Sequence, residues 1–468
     1  MGPGARELAI AAAAVALACG GPSPGRDEPA KRQILLETEA HDERVGRDAA
    51  ADVRASLGLV EDAALVDYVQ GIGRRLLLHA PRRGYEYSFQ IVDQAAPNAF
   101  ALPGGQIFVS RGLLALTNSE DELANVVGHE IIHVAARHAA AQQAAAARTL
   151  PGPFQFYAMA DIRAYGRDQE READRLGQGL SALSGYDPAG LATFLRNLEY
   201  TERLQLGRSR LPNFWDTHPA TTERAASARE RGERIQWPRT PEATGSPEAY
   251  LRRLEGLTVG PSAREGVVEG SRFLQPDMRF SMRFPDGWQV INTPAAVGAV
   301  SPRRDAQVFL EQQGLGRDPE LSAREFLEHV GDQLRVDQVE PIRIGDLEAF
   351  RARGSASGAK IVLTWIAYES AIYRLTGAAA SSRYEGAFLN VARSFRPLDD
   401  AQRASIREDH LRLEAARQGE GLAALSQRSG NRWDLQTTAI MNGIFANQAL
   451  VQGQLVKVAV AVPYEPRR

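Results

Sequence analysis

Cysteine is nearly missing: Cys19 is the one cysteine among 468 residues. A disulfide within the chain is therefore impossible. A surplus of either charge is missing too. The net charge of −3 argues against a nucleic-acid binder. No long hydrophobic run is evident. The apolar stretch 8–18, LAIAAAAVALA, is too short to span a bilayer. What remains is ordinary for globular protein, with 44% apolar and 24% charged residues. The length suggests two to four domains, because single cores stop growing beyond about 250–300 residues.

Histidine is also scarce, at eight residues, yet two of them fall in one short motif. The stretch Glu120 to His138 reads EDELANVVGHEIIHVAARH and contains His129-Glu130-Ile131-Ile132-His133. Residues four apart on an α-helix lie one turn apart on nearly the same face. The imidazoles of His129 and His133 can therefore reach one metal ion. Glu130 falls beside that ion rather than on it, where a general base for the attacking water belongs. The bland alternative is an amphipathic helix with two unrelated histidines.

The 8–18 run has the length of a signal-peptide core, and Cys19 follows it directly. Ala16-Leu17-Ala18-Cys19 resembles a bacterial lipobox, which would make Cys19 the lipid-bearing residue. The other reading is a secretory signal cleaved near Ala18. Both place the mature chain outside the inner membrane. Gly20 after the cysteine favours an outer-membrane lipoprotein, by resemblance to sorted lipoproteins. Residues 20–32 are rich in Gly and Pro and read as a tether. From there to Leu77 the pattern is helical, with Leu65, Val69, Ile72 and Leu76 on one face. His41 and His79 read as surface residues.

Residues 85–92 alternate as a strand does. Pro97 to Val109 then read as strand, Pro-Gly-Gly turn, strand. A strand just before an HEXXH helix is where zinc peptidases hold an extended substrate as an added strand. Asn98, Ala99 and Phe100 are the candidates. The alternative is an ordinary hairpin in a mixed sheet.

The motif needs a third protein ligand. Nine residues after His129, His138 falls on the opposite side of a continuing helix and reads as a C-terminal helix residue. Residues 139–148, AAAQQAAAAR, would prolong that helix. Glu170 is the better candidate. Glu170 and Asp174 are four apart within RDQEREADR, hence on one helical face. Glu170 can supply the third ligand, and Asp174 can accept a hydrogen bond from the outer nitrogen of a ligand histidine. Glu172 points elsewhere and reads as solvated. Such charge runs are also common on wet helix faces. His218, in Asp216-Thr217-His218-Pro219, can approach the metal or the oxyanion, supported by Arg224, or simply cap a loop.

HEIIH, EREAD, PNAFALPGG and DTHPATTER occur in the order and spacing of the HtpX-like and CAAX-prenyl-protease-like zinc metallopeptidases, which residues 33–235 resemble. The likeness is to a branch without transmembrane helices around the site. It implies one zinc per chain, held by His129, His133 and Glu170, with Glu130 as catalytic base and Asp174 behind a ligand. His218 matches the histidine of the family's His-Pro motif, which contacts zinc in a self-inhibited state or assists catalysis. Ile132 departs from the family's usual Ala or Gly without removing a ligand.

The expected fold class is α+β multidomain: a mainly helical zincin-like domain with a small sheet, then an α+β domain, then a small module. The boundaries are a signal peptide at 1–19, a tether at 20–32, a metallopeptidase domain at 33–236, a linker at 237–262, an α+β domain at 263–398 and a third piece at 401–468. The FPDGW turn and the closing helix of the second domain resemble a PsbP-like fold. The third piece reads strand, helix, helix, strand and resembles a degenerate LysM module, which implies peptidoglycan binding; a plain packing domain is the alternative. His329 reads as a surface residue. Two function classes compete. One is a zinc endopeptidase of the periplasm, lipid-anchored to the outer membrane, acting on polypeptides such as misassembled outer-membrane proteins. The other is a chaperone-like or peptidoglycan-associated scaffold with a structural zinc site.

Overall fold

The computed structural model describes residues 39–81, 84–138, 166–205, 218, 222–238, 245–293 and 296–465. The expected signal peptide, Cys19, the tether and the helix extension at 139–148 lie outside the described residues. Among those described, no helix is long and apolar enough to cross a membrane.

The first unit opens with helices α1 (Glu39–Leu57) and α2 (Ala63–Leu77). Asp62 caps α2 by accepting from the Leu65 amide at 3.0 Å. A three-stranded sheet follows: β1 (Ser88–Val92), β2 (Ala99–Leu102) and β3 (Gln106–Ser110). β3 lies centrally, parallel to β1 and antiparallel to β2. The expected turn joins β2 to β3. It requires glycine: Gly104 has φ 72° and Gly105 φ 94°, and a Cβ on Gly104 would lie 2.5 Å from Glu43 Cα. β2 is left at the sheet edge and packs against the HEXXH helix.

A short helix, α3 (Arg111–Leu116), leads into the HEXXH helix α4 (Glu120–Ala135). Ser119 caps α4, its Oγ accepting from the Glu122 amide at 3.1 Å. Glu120, Asp121 and Glu122 fill the first turn, where acidic groups complement the helix dipole. Leu123, Val127 and Ile131 of α4 are fully buried with Val69 and Ile72 of α2 in one core. Each such side chain contributes about 1.5–3 kcal/mol of hydrophobic stabilisation. Ile132 is also core, so its bulk is accommodated by packing. α5 (Arg167–Leu183), α6 (Gly190–Gln205) and α7 (Thr222–Arg234) complete the unit.

Residues 237–262 are not a bare linker over their described part. α8 (Pro247–Arg253) and β4 (Thr258–Val259) are folded, and Tyr250, Leu251, Leu254 and Leu257 lie in the same core as α4. The Pro/Gly/Thr-rich composition that suggested a tether belongs to the stretch just before this helix.

The second unit opens with β5 (Val267–Glu269), β6 (Arg272–Gln275) and β7 (Phe280–Arg283). β8 (Gln289–Asn292), β9 (Ala296–Val300) and β10 (Ala306–Leu315) come next, then α9 (Pro319–Val330). β11 (Arg335–Ile344), β12 (Leu347–Ala356), β13 (Ala359–Tyr368) and β14 (Ala371–Ala379) follow. α10 (Glu385–Arg393) and β15 (Arg396–Pro397) close the unit. Its main sheet runs β11-β12-β13-β14-β10-β9-β8, with every pairing antiparallel. This is the expected sheet-and-helix α+β arrangement. His329 is exposed on α9.

The third piece holds α11 (Asp400–Ser405), β16 (Arg407–Ala415), α12 (Leu422–Ser429), α13 (Leu435–Met441) and β17 (Leu455–Pro463). β16 pairs with both β17 and β4. Leu411, Ile440 and Ala459 share the first unit's core. Lys457, fully buried, donates from Nζ to the carbonyls of Ala115 at 2.7 Å and Thr117 at 2.9 Å. The last module is thus docked on the end of α3, directly before the HEXXH helix.

Candidate metal centre

The site forms where α4 crosses α5. Gly128 and Gly177 meet there: a Cβ on Gly177 would lie 2.9 Å from the His129 nitrogen. The absence of side chains lets the helices approach closely. His129 and His133 project from α4 and Glu170 from α5, while His218 arrives from the segment before α7.

One donor atom from each of His129, His133, Glu170 and His218 lies within 4.8 Å of all the others. His129 Nε2 is 2.9 Å from His133 Nε2 and 3.2 Å from His218 Nδ1. Glu170 Oε1 is 2.9 Å from His218 Nδ1 and 3.4 Å from His133 Nε2. Glu170 Oε2 is 3.7 Å from His129 Nε2. Donors held tetrahedrally at zinc–nitrogen bond lengths lie about 3.3 Å apart. The observed spread brackets that value, and two or three imidazoles with a carboxylate suit zinc. These residues are able to hold one metal ion.

Asp174 Oδ1 faces the outer nitrogen of His129 at 3.1 Å. Such a contact turns the Nε2 lone pair toward the cluster. Arg224, expected in a supporting place, stands behind Asp174 and Glu170. Its Nε and Nη2 donate to the two Asp174 oxygens at 2.9 and 2.7 Å, and Nη1 pairs with Glu170 Oε2 at 2.6 Å. Burial opposes the charge on Asp174, but His129 and Arg224 outweigh it and hold the carboxyl at about 2. Burial likewise opposes ionisation of Glu170, and His218, His133 and His129 together hold it well below the usual range. His129 is raised, because Asp174 and Glu170 outweigh burial; His133 is driven far down by burial. Glu170 as an anion and His133 as a neutral imidazole are thus in the forms that bind metal, whereas the carboxylates around His129 favour its protonated form.

Glu130 is wholly buried, and among the described residues neither carboxyl oxygen has a hydrogen-bond partner. His218 Nε2 lies 3.5 Å from Glu130 Oε1. Burial pushes the Glu130 carboxyl up. An orphaned carboxylate beside a donor cluster is costly and marks a group kept for chemistry.

His138 overturns the sequence reading. α4 ends at Ala135 and Arg137 has φ 55°, so His138 does not sit on a continuation of that helix. His138 is buried, with Nδ1 2.9 Å from His133 Nδ1. Glu172 is half exposed yet places Oε2 3.4 Å from His138 Nε2, so it is not simply solvated. The signal lay in the final histidine of the HEIIHVAARH stretch, but not its path. Asn98, Ala99 and Phe100 lie on or beside the edge strand β2. Ala99 is buried, and Phe100 stacks on Phe108 with ring centres 5.2 Å apart.

Residues 64–232 match the model for Peptidase family M48. The beta-barrel assembly-enhancing protease of Escherichia coli (strain K12) is 31% identical over 240 residues, covering 46% of this chain and 48% of that protein. Mitochondrial metalloendopeptidase OMA1 of Schizosaccharomyces pombe is 28% identical over 200 residues, 39% of this chain and 58% of that protein. The chain spans about half the length of the curated relatives it matches. The solution structure of PsbP from Synechocystis sp. PCC 6803 matches at TM-score 0.24 with 14% identity, covering 30% of this chain and 98% of that one. A score that low carries no weight for the PsbP-like expectation. The HEXXH helix and the Glu170 helix both fall inside the segment that matches Peptidase family M48.

Proposed function

We propose that this chain is a zinc-dependent endopeptidase of the bacterial cell envelope. The observation that carries the reading is the four-donor buried cluster with an orphaned carboxylate, Glu130, at its side. In this reading His129, His133 and Glu170 are the zinc ligands. A bound zinc ion acts as a Lewis acid toward the scissile carbonyl and makes water nucleophilic near neutral pH. Glu130 takes the proton of the attacking water on its carboxylate and delivers it to the departing amine nitrogen. The upward push that burial gives Glu130 makes it a stronger base for that task. Asp174, anchored by Arg224, keeps His129 in its ligand tautomer.

His218 Nδ1 stands where a fourth donor belongs. Catalytic zinc sites keep that position open, so the arrangement is that of a closed, latent enzyme. Substrate entry requires His218 to withdraw; near Glu130 it can then assist the developing oxyanion. Among the described residues β2 is hydrogen-bonded to a neighbouring strand on one side only. Its other side, along Ala99 and Phe100 with Asn98 just before the strand, suits an extended polypeptide added as a strand.

The apolar 8–18 run and Cys19 support a periplasmic lipoprotein anchored to the outer membrane. The name of the Escherichia coli relative, a beta-barrel assembly-enhancing protease, supports polypeptides in β-barrel assembly as the substrates. The strand–helix–helix–strand order of 407–463 supports a LysM-like module that engages peptidoglycan. The filled fourth position also favours a second reading, a scaffold with a structural zinc.

The Glu130→Gln variant decides between them, assayed on casein. It keeps its zinc and loses cleavage by about 100-fold or more if Glu130 is the base. Cleavage at the wild-type rate would remove the hydrolase assignment, and a zinc-loaded wild type that never cleaves would leave the scaffold.

A further inference from the structure

The two α4 histidines have different groups behind them. His129 is backed by the ionised Asp174. His133 is backed by a second imidazole, with His138 Nδ1 2.9 Å from its Nδ1 and the ring centres 4.9 Å apart.

His138 reaches this place because the helix is stopped by force. Arg137 holds a left-handed conformation, φ 55°, which costs a residue with a Cβ about 1–2 kcal/mol. A clamp offsets that strain. Arg137 Nε and Nη2 donate to the two oxygens of Asp42 at 2.7 and 2.8 Å, and the Tyr85 hydroxyl donates to the same carboxylate at 2.6 Å. Asp42 is buried on α1. Three elements thus cooperate to fold one histidine back on another.

We propose that His138 is a positioning residue for the metal centre, accepting the Nδ1 hydrogen of His133 so that His133 offers its Nε2 lone pair to the ion. A neutral imidazole that binds metal through Nε2 carries its hydrogen on Nδ1. The facing nitrogen of His138 must then be bare, which places the hydrogen of His138 on Nε2. That nitrogen faces Glu172 Oε2 at 3.4 Å. The chain His133–His138–Glu172 leads from the cluster to a half-exposed carboxylate, whereas His129–Asp174–Arg224 is closed and buried. One ligand is held by a fixed charge, the other by a choice of tautomer.

This inference rests on His133 being a zinc ligand, and the test separates the two. His138→Asn and His138→Leu have the same shape, and only Asn can set an oxygen where Nδ1 was. Zinc affinity is measured by chelator competition at fixed pH, and the site is read by the visible spectrum of the cobalt-substituted protein. His138→Leu is expected to bind zinc about 10-fold or more weakly with an altered cobalt spectrum. His138→Asn is expected to recover most of both. Equal affinity and equal spectra in the two variants would overturn the proposal while leaving the zinc reading intact. A wild type that takes up no zinc would overturn that reading itself. Should either variant fail to fold, nitrogen NMR of the histidine rings in the zinc-loaded wild type gives the answer. His138 is expected as the Nε2–H tautomer, and finding its hydrogen on Nδ1 would overturn the proposal.

Discussion

Gly177→Ala perturbs the site without replacing a candidate ligand. Gly177 lies two turns beyond Glu170 on α5. A Cβ there would meet His129 N at 2.9 Å, His129 Cα at 3.0 Å and Gly128 C at 3.2 Å. All three are backbone atoms of the metal-binding helix and have no rotamer to escape by. Favourable carbon contacts lie at about 3.5–4.0 Å, so α5 must retreat by about 0.5–1 Å. Overpacking of this kind costs about 1–3 kcal/mol. Against it stands the gain of about 1 kcal/mol from replacing a helical glycine with alanine. Gly179→Ala supplies the control, because nothing lies within 4 Å of a Cβ at that position on the same helix. In the difference between the two variants the propensity gain cancels, leaving about 1–3 kcal/mol, or roughly 2–12 °C in Tm for a domain of this size. Glu170 shifts with the helix by more than the ~0.5 Å a site tolerates, so Gly177→Ala also binds zinc more weakly. Thermal melts of the zinc-free variants and chelator competition read both effects. A Gly177→Ala protein as stable as Gly179→Ala, with wild-type zinc affinity, would refute the reasoning.

Two more perturbations test other contacts. Lys457→Met removes the ammonium that satisfies the Ala115 and Thr117 carbonyls and leaves them buried, at about 1–3 kcal/mol for an unsatisfied group; hydrogen exchange should quicken in β17 and around 114–118, and unchanged protection would contradict the docking account. Asp174 is held at about 2 in the fold, below the ordinary value of about 3.9, so it contributes about 2 kcal/mol that is present above pH ~4 and lost as pH falls toward ~2. In the zinc-free protein the Tm penalty of Asp174→Asn should therefore shrink between about pH 5 and pH 3, and a penalty constant across that range would contradict it.

The pairing of the cluster residues was legible because its information is local. Four-residue spacing places His129 with His133, and Glu170 with Asp174, on single helical faces whatever surrounds them. The turn of β2 and β3 was legible for the same reason, since Pro-Gly-Gly dictates its own backbone. His138 was misread because the helix end is decided elsewhere: Arg137 is turned by Asp42, 95 residues away. The partners of Arg224 carried no local signal, since its carboxylates come from another helix. Residues 248–257 read as a short helix within the 237–262 linker, and their place in the core was hidden because their few apolar side chains gain meaning only against a core already built by α4. Lys457 carried no signal, as its acceptors are main-chain carbonyls 340 and more residues earlier.

The central claim is that α4 and α5 grip one ion between them. Metal analysis of wild type and Glu170→Gln, each stripped with chelator and reloaded with zinc, tests it directly. About one tightly held zinc per wild-type chain, and loss or marked weakening in Glu170→Gln, is the predicted result. A Glu170→Gln protein that keeps zinc as tightly as wild type would contradict the account.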